Sequence, residues 1–364
     1  MNKINIGIIG CGGISNVHSL SLIELCKEYD TEVTAFADVL PERRAFMAER
    51  FPDARPYNLG MELIERERPD VVYVCLPTYM HAEHTIAALD RGINVFLEKP
   101  ACLKRSEAAQ LLDAERRSGK KIMIGHSLRY RDEYMRLKSL CDSGRYGKLK
   151  GIFMQRIAGI GRSIKEPKRV TWYDDPGKSG TFILDLHIHD VDFIRSLLGD
   201  PLSVNVVSDI GSKGPSARIA AIYRYDGAFA YAESGKSIAT TFWFKANYRA
   251  VFEYATAVYD SVDNKIVTVF DCEGHTITLD DEWDAVTGRL DGGRGGNRGA
   301  SGAKKLFEDS SYYAESSYFL DCVINDKTVE NPSLSDSIKT FELVSTELEM
   351  AYAQAGLPFP IKEN

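Results

Sequence analysis

A short apolar strand, Ile4 to Ile9, runs directly into Gly10-Cys11-Gly12-Gly13-Ile14-Ser15, and this glycine-rich turn constrains the chain more than any other feature. A strand, a tight glycine turn and a helix in that order have a mechanism. Gly10 allows the reversal, and Gly12 lets the backbone approach a pyrophosphate. Gly13 and Ile14 begin a helix whose unpaired amides and dipole favour negative charge. The third position of the pattern, Ser15, is small enough for close packing, though it replaces the usual Gly or Ala. The turn therefore predicts a bound dinucleotide.

From Ile4 to about Ile124, β-branched runs alternate with helix-period segments, the pattern of a doubly wound parallel sheet. The strands are expected at Ile4 to Ile9, Val33 to Ala37, Val71 to Leu76, Asn94 to Leu97 and Lys121 to Ile124. Each is largely continuous in apolar residues because helices cover both faces. A sixth, short strand is expected near Arg55 to Tyr57, completing two mononucleotide-binding halves. The second strand ends in Asp38, twenty-three residues beyond Ser15, where a carboxylate accepts hydrogen bonds from ribose hydroxyls and repels a 2'-phosphate. This favours NAD over NADP, although Arg43 and Arg44 follow closely and offer a phosphate partners. Pro77 and Thr78 should line the cofactor crevice, with His81 near the start of the next helix.

After about Gly125 the rhythm changes to longer strands joined by turns: Lys150 to Ile157, Ser203 to Ile210, Ile219 to Tyr225, Ala228 to Glu233, Tyr248 to Tyr259 and Lys265 to Cys272. Asp226-Gly227 is a strong hairpin signal. Two helices are expected, over Gly180 to Leu198 and Ser333 to Ala355. The glycine-rich stretch Gly292 to Gly299, with Arg294 and Arg298, reads as a loop. The reading is an α/β Rossmann domain over residues 1–125. An α+β domain with a large, open, mainly antiparallel sheet follows over 126–364, for substrate binding and oligomerisation, its C-terminal helix expected to pack back on the first domain.

Composition excludes several classes. The 364 residues exceed what one core usually serves. A net charge of -7 offers no basic surface for nucleic-acid phosphates. No apolar run reaches the roughly 18 to 20 residues that span a bilayer, and the start shows no signal-peptide pattern. The seven cysteines form no C-x-x-C pair. Buried free thiols in a reducing, cytoplasmic compartment are expected.

At Glu98-Lys99-Pro100 the sequence resembles the glucose-fructose oxidoreductase and inositol dehydrogenase family, Gfo/Idh/MocA. Pro77-Thr78-Tyr79-Met80-His81, Gly125 to Tyr130, Asp185-Leu186-His187-Ile188-His189-Asp190-Val191-Asp192 and Tyr313-Ala314-Glu315 extend the resemblance over nearly the whole chain. The family's lysine and D-x-x-x-H pair, which meet at the nicotinamide, fall on Lys99, Asp185 and His189. Glu98 and Lys99 are then also cofactor contacts, and Arg129, Trp172 and Tyr173 join Lys99, Asp185 and His189 as substrate-binding candidates. Independently, the 185, 189, 192 spacing places Asp185, His189 and Asp192 on one helix face, with His187 turned about 200° away.

Hydride transfer from a ring carbon needs a base for the hydroxyl proton and a positive charge where alkoxide character develops. His189 and Lys99 fit these roles, with Asp185 orienting the pair or binding a hydroxyl. Which of His189 and Lys99 takes the proton first stays open. His187 stands where the family commonly has Gly. A metal is not expected, and His187 should pack towards the sheet or line the pocket rim. The resemblance implies an NAD-dependent dehydrogenase for a secondary hydroxyl of a sugar, glycoside or cyclitol, of glucoside 3-dehydrogenase or inositol 2-dehydrogenase type, assembled as a dimer or tetramer. The alternatives are an NAD-dependent glycosidase working by transient ring oxidation, and a non-catalytic dinucleotide or sugar sensor.

Overall fold

The computed structural model describes residues 3–159, 172–210, 217–237, 239, 242, 244–263, 266–279 and 311–363. The expected loop Gly292 to Gly299 lies outside the described residues. The chain divides into two compact units, one of residues 1–130, 300–341 and 361–364, the other of 131–299 and 342–360.

The first unit is built on a six-stranded parallel sheet. Its strands are β1 (Ile4–Ile9), β2 (Thr31–Ala37), β3 (Arg55–Tyr57), β4 (Val71–Val74), β5 (Asn94–Glu98) and β6 (Ile122–Gly125). Their order, β3-β2-β1-β4-β5-β6, is that of a Rossmann sheet. The short strand expected at Arg55 to Tyr57 pairs in parallel with Ala35 to Ala37. Between the strands run α1 (Gly13–Glu28), α2 (Pro41–Arg50), α3 (Gly60–Arg66), α4 (His81–Leu89) and α5 (Arg105–Ser118). One core cluster joins Ile6, Ile8, Leu22, Phe36, Tyr73 and Phe96 to Phe319 and Leu320, which lie on a later helix, Ser311–Ile324. Each large side chain so buried stabilises by about 1.5–3 kcal/mol.

The second unit carries an eight-stranded sheet. Its strands are β7 (Leu149–Gly159), β8 (Ser203–Ser208), β9 (Arg218–Tyr225), β10 (Ala228–Ser237), β11 (Phe244–Phe252), β12 (Ala255–Asp260), β13 (Val267–Asp271) and β14 (Thr276–Leu279). They are ordered β14-β13-β12-β11-β7-β10-β9-β8. All pairings are antiparallel except β7 with β10. The expected strand Tyr248 to Tyr259 is in fact a hairpin. The chain reverses at Glu253 and Tyr254, whose amides donate to the carbonyls of Lys148 and Tyr146. No Gly or Pro marks that turn, so the apolar alternation reads straight through it.

The helix expected over Gly180 to Leu198 is also interrupted. A single turn, α7 (Pro176–Ser179), stops at Gly180, with φ of 68°. Thr181 follows with φ of 65°, a strained value for a β-branched residue. A π-helical turn then spans Ile183–His187 before α8 (Ile188–Leu198). The unit also contains α6 (Asp132–Ser143). Two further helices follow, α9 (Ser311–Ile324) and α10 (Leu334–Gln354).

Candidate active site

In the first unit, the glycine turn has the shape its sequence implies. Gly10 has φ of 88°, and a Cβ there would lie 2.5 Å from the Cys75 carbonyl oxygen. Around Gly12 and Gly13 the space is open: a Cβ would meet only Arg43 Nη1 at 3.6 Å at Gly12, and nothing within 4 Å at Gly13. Helix α1 starts without a side-chain cap or an acidic residue in its first turn. Its amides therefore remain available to a phosphate. Ser15 is fully buried, and its hydroxyl donates to the Gly12 carbonyl at 2.8 Å, so the serine fits by satisfying itself locally.

Asp38 fixes the same turn from the end of β2. Its Oδ2 accepts from the Cys11 amide at 2.8 Å and its Oδ1 from the Leu40 amide at 2.9 Å. Arg44 donates to the Asp38 carbonyl at 2.6 Å, and half-exposed Arg43 stands 3.6 Å from Oδ2. Each carboxylate oxygen retains acceptor capacity for a ribose hydroxyl.

Pro77 leads into a 3-10 turn, Thr78–Met80, with Thr78 buried. His81 is buried, its Nδ1 2.7 Å from the Pro100 carbonyl and its Nε2 2.7 Å from the Leu76 carbonyl. It thus ties the exit of β4 to the Glu98-Lys99-Pro100 segment. Burial pulls its pKa down, against the pull of the two carbonyls. Glu98 turns inward, with Oε1 2.6 Å from His18 Nε2 and Oε2 accepting from the Lys99 amide at 3.2 Å. A carboxylate oxygen of Glu315, on α9, lies within 4.8 Å of both groups. Lys99 itself is half-buried. Arg129 is half-buried, with its side chain only 6% exposed, and donates to Asp336 at 2.6 Å, an ion pair within this unit.

In the second unit, the Asp185 to Asp192 segment divides its side chains between two tasks. His187 is fully buried against the sheet, with Nδ1 2.9 Å from Ser234 Oγ on β10 and Nε2 3.1 Å from Glu347 on α10. Asp190 is bound by Arg156 of β7 at 2.8 and 3.1 Å. Asp185 and His189, by contrast, are half-buried. Asp192 is fully buried, so the three expected on one face do not share one environment. The π turn over Ile183–His187 shifts the phase of Asp185 against α8, whereas His189 and Asp192 both lie in that regular helix. Tyr173 donates to Asp185 Oδ2 at 2.8 Å, and its ring packs edge-on against Trp172. Burial, then the neighbouring Asp185 carboxylate, pushes the Tyr173 pKa up, so its hydroxyl keeps its proton.

Residues 4–126 match the family described as "Oxidoreductase family, NAD-binding Rossmann fold", and residues 134–280 match the "GFO/IDH/MocA C-terminal domain". The chain belongs to the Gfo/Idh/MocA family. The Gfo/Idh/MocA relatives include the myo-inositol 2-dehydrogenase of Thermotoga maritima, 27% identical over 61% of this chain and 65% of that protein. The D-glucoside 3-dehydrogenase of Escherichia coli is 26% identical over 57% of this chain and 58% of that protein. The matches thus span less than two thirds of these relatives' length. Among solved structures, a levoglucosan dehydrogenase in complex with NADH has the same fold, with a TM-score of 0.80 at 18% identity over 97% of each chain.

Two features, one in each unit, are absent from the sequence reading. His18 sits on α1, far from Glu98 in sequence, and only the parallel sheet brings them together. Lys236, at the end of β10, holds its ammonium 4.7 Å from the centre of the Tyr173 ring. No motif points to it.

Proposed function

We propose that the chain catalyses NAD-dependent, reversible oxidation of a secondary ring hydroxyl of a sugar, glycoside or cyclitol. The observation that carries this reading is the division of labour in residues 185–190. His187 and Asp190 anchor the segment to the sheet, which leaves Asp185 and His189 half-buried and oriented on a rigid support. The names of the inositol and glucoside dehydrogenase relatives support the substrate class.

Bound NAD supplies the hydride acceptor. Gly10 to Ser15 and the amides of α1 would hold its pyrophosphate, and Asp38 would take the ribose hydroxyls. His189 removes the hydroxyl proton. Lys99 contributes positive charge to the developing alkoxide, as the family pattern implies. Asp185, steadied by the Tyr173 hydroxyl, accepts from a substrate hydroxyl. Trp172 offers an apolar ring to the C-H face of the sugar.

The test is NADH formation with a panel of sugars, glycosides and inositols. At least one should reduce NAD. Released aglycone without net NADH would replace this reading with the glycosidase, and failure of every compound to reduce NAD would replace it with a sensor.

We also infer a homo-oligomer formed through the outer face of the eight-stranded sheet, where Val207, Ile222, Phe229 and Phe270 are 74, 50, 46 and 47% exposed. Light scattering should give a dimer or tetramer. No helix among the described residues is long and apolar enough to cross a membrane. None of the seven cysteines, all among the described residues, is in a disulfide, which supports placement in the reducing cytoplasm.

A further inference from the structure

Lys236 is an unusual cation. It is half-buried at the end of β10, yet its ammonium forms no hydrogen bond and no ion pair within 4.0 Å with any described residue. It stands over the face of Tyr173, 4.7 Å from the ring centre. That ring donates its hydroxyl to Asp185 at 2.8 Å, so the ammonium, the aromatic face and the carboxylate form one continuous edge. Burial lowers the lysine's pKa, and the fields of Asp185 and then Asp174 oppose that shift. The carboxylate is therefore near enough to be felt but too far to pair.

Among the described residues, this half-desolvated ammonium with three donors meets a π-face and no acceptor in place of the water it had before folding. Cation–π attraction returns only part of that loss. An anionic substrate group would also satisfy the ammonium, but it would have to lie in the field of the Asp185 carboxylate, which repels it. Neutral hydroxyls suit both ends: one accepts from the ammonium, and its neighbour on the ring donates to the carboxylate. Adjacent ring oxygens lie about a hydrogen-bond length apart, so a vicinal pair spans the gap between a cation and an anion that do not touch.

We propose that Lys236 is a substrate-binding residue whose ammonium donates to the hydroxyl next to the one held by Asp185, making the site selective for neutral rings with two neighbouring free hydroxyls. The proposal rests on the dehydrogenase reading and deepens it.

The experiment uses the whole 364-residue chain with saturating NAD and D-glucose, methyl β-D-glucopyranoside and myo-inositol as probes, followed by NADH formation and by saturation-transfer NMR for binding. The best probe and its monodeoxy analogues are then compared on wild type and Lys236→Met. Loss of a charged hydrogen bond should raise KM for the parent about 10- to 100-fold, with kcat within about threefold and NAD affinity unchanged. For one monodeoxy analogue, wild type and Lys236→Met should have equal KM, because the hydroxyl and the ammonium lose the same interaction. Lys236→Arg, which keeps a cation over Tyr173, should recover most of the lost affinity.

Losses that simply multiply for every analogue, or an unchanged KM, would assign Lys236 to packing and overturn the proposal. If wild type binds a probe without reducing NAD, the dehydrogenase reading fails alone, and retained binding by Lys236→Met would then overturn the Lys236 role. A wild type that neither binds nor oxidises any probe removes both.

Discussion

Asp190 and His189 are adjacent in sequence, yet the structure gives their removal opposite consequences. Asp190 and Arg156 are buried, with side chains 1 and 5% exposed, and the guanidinium reaches Oδ1 through Nε at 3.1 Å and Nη2 at 2.8 Å. Nη2 also donates to the Tyr134 hydroxyl at 3.1 Å. Burial disfavours the guanidinium charge, but the Asp190 carboxylate overrides it and raises the pKa, so Arg156 remains a cation. Asp190→Ala strands that cation in the core with one neutral acceptor. Breaking a buried pair from one side costs about 3–5 kcal/mol. In a unit of this size each kcal/mol moves the midpoint by about 2–4 °C, so Tm should fall by about 6–20 °C. His189→Ala should leave Tm within about 3 °C, since the side chain is only half-buried. It should lower kcat by about 10²- to 10⁴-fold with NAD affinity near normal. Replacing both members of the pair, Arg156→Met with Asp190→Leu, should restore much of the stability, because the Asp190 Oδ2 is buried with no hydrogen bond and the pair's net worth is small. Thermal unfolding by circular dichroism and turnover on the best substrate read both axes. A normal Tm with lost turnover in Asp190→Ala would refute the anchoring argument, and full turnover in His189→Ala would remove it from the chemistry.

The glycine turn separates two alanine substitutions. Gly10→Ala forces a Cβ to 2.5 Å from a backbone carbonyl at a positive φ and should destabilise by about 2–5 kcal/mol, read as a lower Tm. Gly12→Ala should fold normally and weaken NAD binding about tenfold or more, measured by fluorescence titration; equal effects at the two positions would contradict the geometry. Asp38→Ser should raise the KM for NAD by about 10- to 100-fold and lower the NAD-to-NADP preference, with Arg43 and Arg44 left to meet the 2'-phosphate; an unchanged cofactor ratio would dismiss Asp38 as the selector. His81 and His84 are both buried, and burial is the first cause pulling their pKa below the ordinary 6.5. Between the folded value and 6.5 the unfolded chain binds protons that the folded chain does not, so stability is complete above about pH 7 and falls as pH drops through 6.5. His84→Gln should flatten that slope in a Tm-against-pH series, and an equally steep slope would exclude His84 as a contributor.

Much of the first unit was legible because a parallel sheet buried on both faces leaves an uninterrupted apolar signature, as at Val71 to Val74. Even the three-residue β3 was recoverable, since the doubly wound arrangement needs a sixth strand and only Arg55 to Tyr57 was free to supply it. Legibility failed where one residue serves two elements or where partners are distant in sequence. Helix α9 is set by Phe319 and Leu320 packing on the Rossmann core, which no local period reveals. The π turn depends on Gly180, where a Cβ would lie 2.2 Å from Leu184 Cδ1, so that glycine reads as a helix boundary although it also shapes the turn that follows.

The same distinction separates the candidate site residues. Lys99, Asp185 and His189 sit in short motifs whose spacing carries the proposed chemistry, so a sequence can display them. Lys236 lies in an ordinary strand, Ala228–Ser237, and gains meaning only because Tyr173 turns its face to the ammonium and its hydroxyl to Asp185. Such motifs display the residues proposed to act on the hydroxyl. Selection among hydroxyls falls to residues such as Lys236, whose neighbours come from elsewhere in the chain, and this is why the reaction class was readable before the substrate.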